Sequence, residues 1–148
     1  MLTLNMGKGF YSYAQHREAP DVWTDASRRD PLRGEAFSGG GYLSACGRYS
    51  HFVFHRAFAR EQLIDFMEGY TVLQAVEQMA HLWRHCKVTI WIDNQAFQQS
   101  GVAGRSRVER LNWLLRKLLI AQVEYDFVLF YKWISTEDNY LADHLSPV

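Results

Sequence analysis

Four acidic residues of this chain each lie among apolar or aromatic neighbours, and this feature restricts the possible folds more than any other. They are Asp25 in WTDAS, Glu68 in FMEGY, Asp93 in WIDNQ and Asp143 in YLADHLS. A carboxylate at the end of an apolar segment is costly to bury unless a cation or a hydrogen-bond partner receives it. A fold that gathers all four would form a site for divalent metal ions. The sequence therefore favours a fold that brings distant segments to one place.

Length and composition indicate one globular domain. The chain has 148 residues, of which 48% are hydrophobic and 22% are charged. Sixteen basic and sixteen acidic residues give a formal net charge of zero, so any surface that binds nucleic acid must be local. Cys46 and Cys86 are not in metal-binding spacing, and we expect free thiols in a reducing compartment. No signal-peptide pattern or membrane span is found, so we expect an intracellular protein, cytoplasmic or nuclear, without membrane association.

Hydrophobic periodicity predicts strands first and helices later. Strands are expected at 21–26, 39–46 and 49–57, with a loop at 28–34 and an antiparallel hairpin that pairs with the first strand. A long helix should follow, with Asp65 as its N-cap and Glu68 completing a capping box. The remaining predicted elements are a strand at 87–92, a short helix at 94–100 ended by Gly101 and Gly104, a long helix at 108–122, a strand at 125–134 and a last short helix near 141–145.

This order predicts an α/β fold with a mixed five-stranded sheet. Three antiparallel strands come first, parallel strands follow, and helices cover both faces. Residues 1–20 show no periodicity and are expected to form an N-terminal arm or connector. The domain itself is expected to span residues 21–148.

The predicted elements suggest how the acids could converge. Asp25 and Asp93 end or lie within strands, and their side chains could stand side by side if those strands are neighbours. Glu68 lies on the sheet-facing side of the first long helix, whereas Glu77 is about half a turn away around the helix and is excluded. Clustered carboxylates raise one another's pKa values, and Mg²⁺ or Mn²⁺ ions, which prefer oxygen ligands, remove that cost. Taken singly, Glu68 could be only a helix cap and Asp143 a solvated helix acid.

The acids and their surroundings resemble the ribonuclease H family, in particular the domains attached to reverse transcriptases of gypsy-like and DIRS-like retroelements. The resemblance covers nearly all of 21–146. It is carried by WTDAS in the opening strand, the three glycines 39–41, FME at 66–68, IDNQ at 92–95 and, most specifically, EDNYLADHLS at 137–146. Cellular type-1 enzymes have a histidine in the loop before the last acid. This chain has no histidine at 133–138. Thr136 or Glu137 stands where the retroelement pattern has a glycine. Both differences concern the turnover rate more than the chemistry of cleavage.

The resemblance implies a metal-dependent endonuclease that hydrolyses the RNA strand of RNA/DNA hybrids. Two Mg²⁺ ions, or Mn²⁺, would be held by the four acids: Asp25 and Asp93 would bridge or flank both ions, and Glu68 and Asp143 would complete their shells. One ion would help deprotonate the attacking water, and the other would stabilise the leaving 3′-oxygen. The expected partners are the hybrid and, in a retroelement, a polymerase domain of reverse transcriptase.

Substrate contacts are expected from polar and basic residues near the acids. The candidates are Ser27, Arg28, Asn94, Gln95, Arg105 and Arg107. The arginines could bind phosphates without reading sequence, and Asn94 and Gln95 could reach a 2′-hydroxyl. The basic stretch could equally be a solvated surface. Two other functions stay open at this point: an idle binding module of the same fold, and a DNA-directed nuclease of the same superfamily.

Overall fold

The structure is a computed structural model, and it describes residues 17–18, 21–29, 37–44, 49–53 and 64–139. Within these ranges the chain forms six strands, three α-helices and one short 3₁₀ helix. In chain order they are β1 (Arg17–Glu18), β2 (Val22–Arg29), β3 (Phe37–Ser44), β4 (Tyr49–Val53), α1 (Ile64–Met79), the 3₁₀ helix (Ala80–Leu82), β5 (Cys86–Ile92), α2 (Gln95–Ala103), α3 (Glu109–Tyr125) and β6 (Val128–Trp133).

All six strands belong to one mixed sheet. Strand β3 is antiparallel to both β2 and β4, whereas β5 runs parallel to β2 and to β6. The two-residue strand β1 pairs with the start of β5, and β2 pairs with its end. Pro20, which has no N–H to donate, lies between β1 and β2 in the sequence. The predicted α/β fold with three antiparallel strands followed by parallel strands is therefore confirmed, and β1 extends the sheet into the predicted arm.

Helices α1, α2 and α3 contact one another, and α1 and α2 pack against the sheet. Alternate residues of β5 are buried, namely Cys86, Val88, Ile90 and Ile92, and they belong to the same core as the helices. Alternation of this kind places one face of the strand against the helices. The predicted last helix near 141–145 lies outside the described residues. That helices cover both faces of the sheet therefore stays a prediction.

Two glycines allow the helices to approach closely. A Cβ atom on Gly69 of α1 would lie 2.5 Å from the Phe97 ring and 2.7 Å from Leu114. A Cβ atom on Gly101 of α2 would lie 2.6 Å from the ring of Tyr131. A larger residue at position 69 would push α1 away from α2 and α3, and one at position 101 would push α2 away from β6. These two contacts therefore determine how closely the helices pack on each other and on the sheet.

The structure corrects several predicted boundaries. Strand β2 continues to Arg29, because Arg28 and Arg29 pair with β3 where a loop was predicted. Helix α1 begins at Ile64, so Asp65 lies inside its first turn and is not its N-cap. Helix α3 continues to Tyr125, so β6 begins only at Val128.

Helix α2 also differs from its prediction. It runs through Gly101 and ends at Ala103, followed by Gly104 in the left-handed conformation with φ 76°. Glycine adopts that conformation without steric cost, which explains why Gly104 ends the helix and Gly101 does not. No helix within the described part of the chain is both long and apolar enough to cross a membrane.

Candidate metal centre

The parallel pairing of β2 and β5 places two of the predicted acids at the same level of the sheet. Val22, Trp23 and Thr24 are opposite Ile90, Trp91 and Ile92, respectively. The next residues in this register are Asp25 and Asp93. On its other side Asp25 pairs with Gly41 of β3, so no cross-strand side chain fills the space beside its carboxylate. The sheet therefore brings together two acids that are 68 positions apart in the sequence.

Helix α1 supplies the third acid. Glu68 is 4% exposed, and its Oε1 accepts a hydrogen bond of 3.3 Å from the backbone N–H of Ala26, next to Asp25 in β2. Carboxylate oxygens of Asp25, Glu68 and Asp93 all lie within 4.8 Å of one another. Asp25 is also buried and Asp93 is half-buried. Three acids from three separate elements therefore form one cluster, which will be called the acidic cluster.

The acidic cluster has the electrostatics of a cation site. Burial raises the pKa of Glu68 well above its ordinary value of 4.5, and the negative charges of Asp93 and Asp25 raise it further. The Ala26 hydrogen bond opposes these effects but does not cancel them. Oε2 of Glu68 is buried and has no hydrogen-bond partner within the described residues. A hard divalent cation would satisfy that oxygen and neutralise the cluster, so the donor set fits Mg²⁺ or Mn²⁺.

The predicted capping box is wrong, because both of its residues have other partners. Glu68 bonds to β2, as described above. The Asp65 carboxylate accepts a 2.7 Å hydrogen bond from Nδ2 of Asn94. Oδ1 of Asn94 accepts a 2.8 Å bond from the N–H of Phe97 and so caps α2. The first turns of α1 and α2 are thereby joined directly beside Asp93.

This arrangement bears on the predicted role of Asn94. Both polar groups of its side chain already bond within the protein, which leaves at most the second N–H of Nδ2 and the second lone pair of Oδ1 for contact with a 2′-hydroxyl. Gln95, by contrast, is the exposed first residue of α2. Substrate contact by either residue stays a prediction.

The turn after β6 is attached to both acid-bearing strands. The N–H of Ile134 donates a 3.0 Å hydrogen bond to the carbonyl of Ile92, and Nε1 of Trp133 donates a 3.3 Å bond to the carbonyl of Asp93. Nδ2 of Asn139 donates a 2.9 Å bond to the carbonyl of Thr24, immediately before Asp25. Asn139 is only 1% exposed. The chain therefore reaches the acidic cluster four residues before Asp143.

Asn139 and Asp65 were missed as site residues. Asn139 stands in the EDNYLADHLS stretch at 137–146, and that position was the available signal for it. Nothing in the local sequence indicates that Asp65 would bond to Asn94, since the two are 29 residues apart.

The other predicted site residues are not among the three acids of the acidic cluster. Asp143 lies outside the described residues. Ser27 and Arg28 lie in β2 opposite Gly39 and Ser38 of β3. Arg105 and Arg107 are exposed in the connection between α2 and α3. The structure thus brings together three of the four predicted acids, and the substrate contacts stay predictions.

Comparison with known proteins shows the fold. No protein-family model matches the chain, and no curated protein matches it in sequence. Its structure is similar to that of ribonuclease H1 from the halophilic archaeon Halobacterium salinarum, with a TM-score of 0.64 and 16% identity over 86% of this chain and 93% of that one. It is also similar to LC11-RNase H1 in complex with an RNA/DNA hybrid, with a TM-score of 0.61 and 16% identity over 85% and 92% of the two chains.

A viral structure gives a further match. The foamy viral protease-reverse transcriptase in complex with an RNA/DNA hybrid has a TM-score of 0.62 and 12% identity, over 88% of this chain and 20% of that one. At such low identities these similarities show a ribonuclease H-like fold, as the sequence resemblance predicted. The gypsy-like or DIRS-like subtype stays a prediction.

Proposed function

We propose that the protein is a metal-dependent endonuclease that hydrolyses the RNA strand of RNA/DNA hybrids. One observation carries the proposal. Glu68 is buried, and its Oε2 has no hydrogen-bond partner among the described residues. A carboxylate oxygen of Glu68 lies within 4.8 Å of one from Asp25 and one from Asp93, in a ribonuclease H-like fold. A buried cluster of carboxylates destabilises a fold unless a cation is bound there. The cluster is therefore difficult to explain as a purely structural feature.

The acids would hold two Mg²⁺ or Mn²⁺ ions, which supply an activated water and stabilise the leaving 3′-oxygen. The protein's contribution is to position these ligands. The register of β2 and β5 holds Asp25 and Asp93 side by side, and the Ala26 N–H orients the Glu68 carboxylate toward them. Because these acids come from two paired strands and a packed helix, their geometry is set before substrate binds.

We include Asp143 as the fourth ligand. Asp143 follows Asn139 by four positions in the sequence, and four residues span at most about 14 Å. Asn139 bonds to the residue before Asp25. This tether supports a position for Asp143 near the acidic cluster.

Basic and polar residues would position the hybrid without reading its sequence. Arg105 and Arg107 are exposed and available to phosphates, and Gln95 begins α2 two residues after Asp93. Ser27 and Arg28 follow Asp25 on the same strand. We also propose an origin in a retroelement and a polymerase domain as partner, in an intracellular setting. The sequence motifs and the similarity to a viral reverse transcriptase support that origin.

The test is cleavage of a labelled RNA/DNA hybrid with Mg²⁺, with Mn²⁺ and with EDTA. We expect loss of the RNA strand only, which requires the metal and is absent in Asp25→Asn and Asp93→Asn. Glu77→Gln, on the exposed side of α1, is the matched control and should cleave normally. Retained activity in Asp93→Asn would refute the assignment.

Parallel substrates separate the alternatives. Duplex DNA cleaved in preference to the hybrid would identify a DNA-directed nuclease of the same superfamily. A folded protein that binds the hybrid without cleaving it in either metal would identify a binding module. Thermal unfolding of each variant must be measured alongside, so that loss of activity is not confused with loss of folding.

A further inference from the structure

A groove of about 390 Å³ lies between helices α2 and α3 and strand β6, away from the acidic cluster. Within the described residues β6 pairs only with β5, so its other side is an edge of the sheet. The groove follows this edge, and it will be called the edge groove. Its lining includes Leu129, Tyr131 and Lys132 of β6, Val102 of α2, and Arg116 and Leu119 of α3. An open sheet edge is a place where a further strand can pair.

The backbone groups of alternate β6 residues point into the edge groove. Along a strand, successive residues direct their N–H and C=O groups to opposite sides in the plane of the sheet. The N–H of Ile134 donates to Ile92, the last residue of β5. The residues at odd positions in β6, which include Leu129 and Tyr131, therefore direct their backbone groups away from β5.

Two glutamines bond to part of this edge and leave its centre open. Oε1 of Gln122 accepts a 2.9 Å hydrogen bond from the N–H of Leu129, and Nε2 of Gln98 donates a 2.9 Å bond to the carbonyl of Tyr131. Between these two bonds lie the carbonyl of Leu129 and the N–H of Tyr131, and neither has a hydrogen bond within the described part of the chain. An added strand needs one acceptor and one donor at this spacing.

We propose that the edge groove binds an extended segment of a partner protein, in which apolar and acidic residues alternate, as a strand added beside β6. Side chains of such a strand point alternately to the two faces of the sheet. On the helix side they would contact Val102 and Leu119, which are 68% and 59% exposed. Apolar side chains would remove both from water.

The other face of the sheet provides a positive charge. Leu129 belongs to the core beneath the helices, so Lys132, three positions later, points to the opposite face. Its Nζ lies 5.9 Å from the centre of the Trp91 ring. Alternate residues of the added strand would lie beside Lys132 on this face, and an acidic side chain there would form an ion pair.

Charge distinguishes this occupant from others. Arg116 and Lys132 are exposed, and no acidic residue lines the edge groove within the described ranges. A second copy of the chain would bring these like charges together. Nucleic acid phosphates would pair with them, but phosphates have no donor for the Leu129 carbonyl and no apolar contact for Leu119. An acidic and apolar peptide satisfies all of these groups.

The experiment is fluorescence anisotropy of a short labelled peptide, in which valine and aspartate alternate, titrated with the full chain. We expect saturable binding. Arg116→Glu and Lys132→Glu should each weaken it about tenfold, because attraction becomes repulsion. A second peptide, in which valine and lysine alternate, should prefer the variant with both substitutions. The first peptide with its backbone nitrogens methylated should not bind, since it cannot donate to the Leu129 carbonyl.

Matched controls separate the groove from the rest of the surface. Leu119→Asp should abolish binding, whereas Ile120→Asp, at an equally exposed position outside the groove, should not. Arg84→Glu makes the same charge change at a distant exposed position and should also bind normally. Circular dichroism of each variant confirms folding.

Several results would overturn the proposal. One is the absence of saturable binding to the native chain, including the case in which another segment of this chain occupies the groove. Another is binding that ignores both charge reversals or backbone methylation. Displacement of the peptide by a single-stranded DNA oligonucleotide, with the same dependence on Arg116 and Lys132, would assign the groove to nucleic acid instead. None of these outcomes depends on nuclease activity.

Discussion

Replacing Glu68 by Gln tests the electrostatic account of the acidic cluster without any substrate. The substitution keeps the shape of the side chain and the acceptor for the Ala26 N–H, and it removes one negative charge. In metal-free solution we expect Glu68→Gln to be more stable than the native chain at neutral pH. This sign is unusual, because most substitutions of buried residues destabilise.

The magnitude follows from the repulsion within the acidic cluster. Carboxylate oxygens of Asp25, Glu68 and Asp93 lie within 4.8 Å of one another, and two unit charges at that separation repel by about 3.5 kcal/mol at an effective dielectric constant of about 20. Burial and the two neighbouring charges raise the pKa of Glu68, so the folded chain without metal either bears part of this repulsion or takes up a proton. Glu68→Gln avoids both costs, and we expect a gain of the same order, about 1–3 kcal/mol, in the free energy of unfolding at pH 7.

The sign of the pH dependence follows from the raised pKa of Glu68 in the folded state. The folded protein holds the proton more tightly than the unfolded chain, so this contribution to stability is complete below pH 4.5 and is lost as the pH rises toward the folded pKa. Glu68→Gln has no carboxyl group at this position and therefore does not lose this stability as the pH rises. The difference in stability between variant and native chain should therefore be near zero at pH 4 and should grow with pH.

The assay is urea unfolding in EDTA at several pH values between 4 and 8, repeated with Mg²⁺. Added Mg²⁺ should stabilise the native chain, because the ion binds only the folded state, and should stabilise Glu68→Gln much less. Glu77→Gln on the exposed side of α1 is the control and should follow the native chain. A native chain that keeps or gains stability relative to Glu68→Gln as the pH rises would refute the reasoning.

Three further substitutions test the supports of the site. Gly69→Ala should destabilise by about 1–3 kcal/mol in urea unfolding despite the better helix propensity of alanine, because its Cβ would overlap the Phe97 ring; no loss would mean that α2 can move away. Asn94→Ala removes the α2 cap and the bond to Asp65 and should cost about 1–2 kcal/mol in the same assay, while Asn94→Ser should retain the cap without adding a charge and recover part of that loss. Asn139→Ala breaks the bond to the Thr24 carbonyl and should cost about 1–3 kcal/mol and raise the Mg²⁺ concentration needed for half-maximal cleavage; an unchanged Mg²⁺ dependence would show that this tether does not support the metal site.

Much of the fold could be read from local patterns. The alternation in β5 and the leucine spacing of α3 predict their elements, because one buried face imposes a period of two on a strand and of 3.6 on a helix. Asp25 and Asp93 were identified because an acid after an apolar strand needs a partner. The ends of the helices and strands could not all be read in this way. The extension of β2 to Arg29 depends on pairing with β3, and local sequence does not indicate that pairing.

The assembly of the site depended on contacts between distant residues. Local sequence places Glu68 and Asp65 in a capping box, and for an isolated helix that is a reasonable expectation. Packing of α1 on β2 instead directs Glu68 to the N–H of Ala26, and packing against α2 directs Asp65 to Asn94. The residue types and their apolar surroundings are properties of the sequence. Which carboxylates meet, and how strongly each is desolvated, depends on strand register and helix packing, because electrostatic energy is set by distances in space and not by positions along the chain.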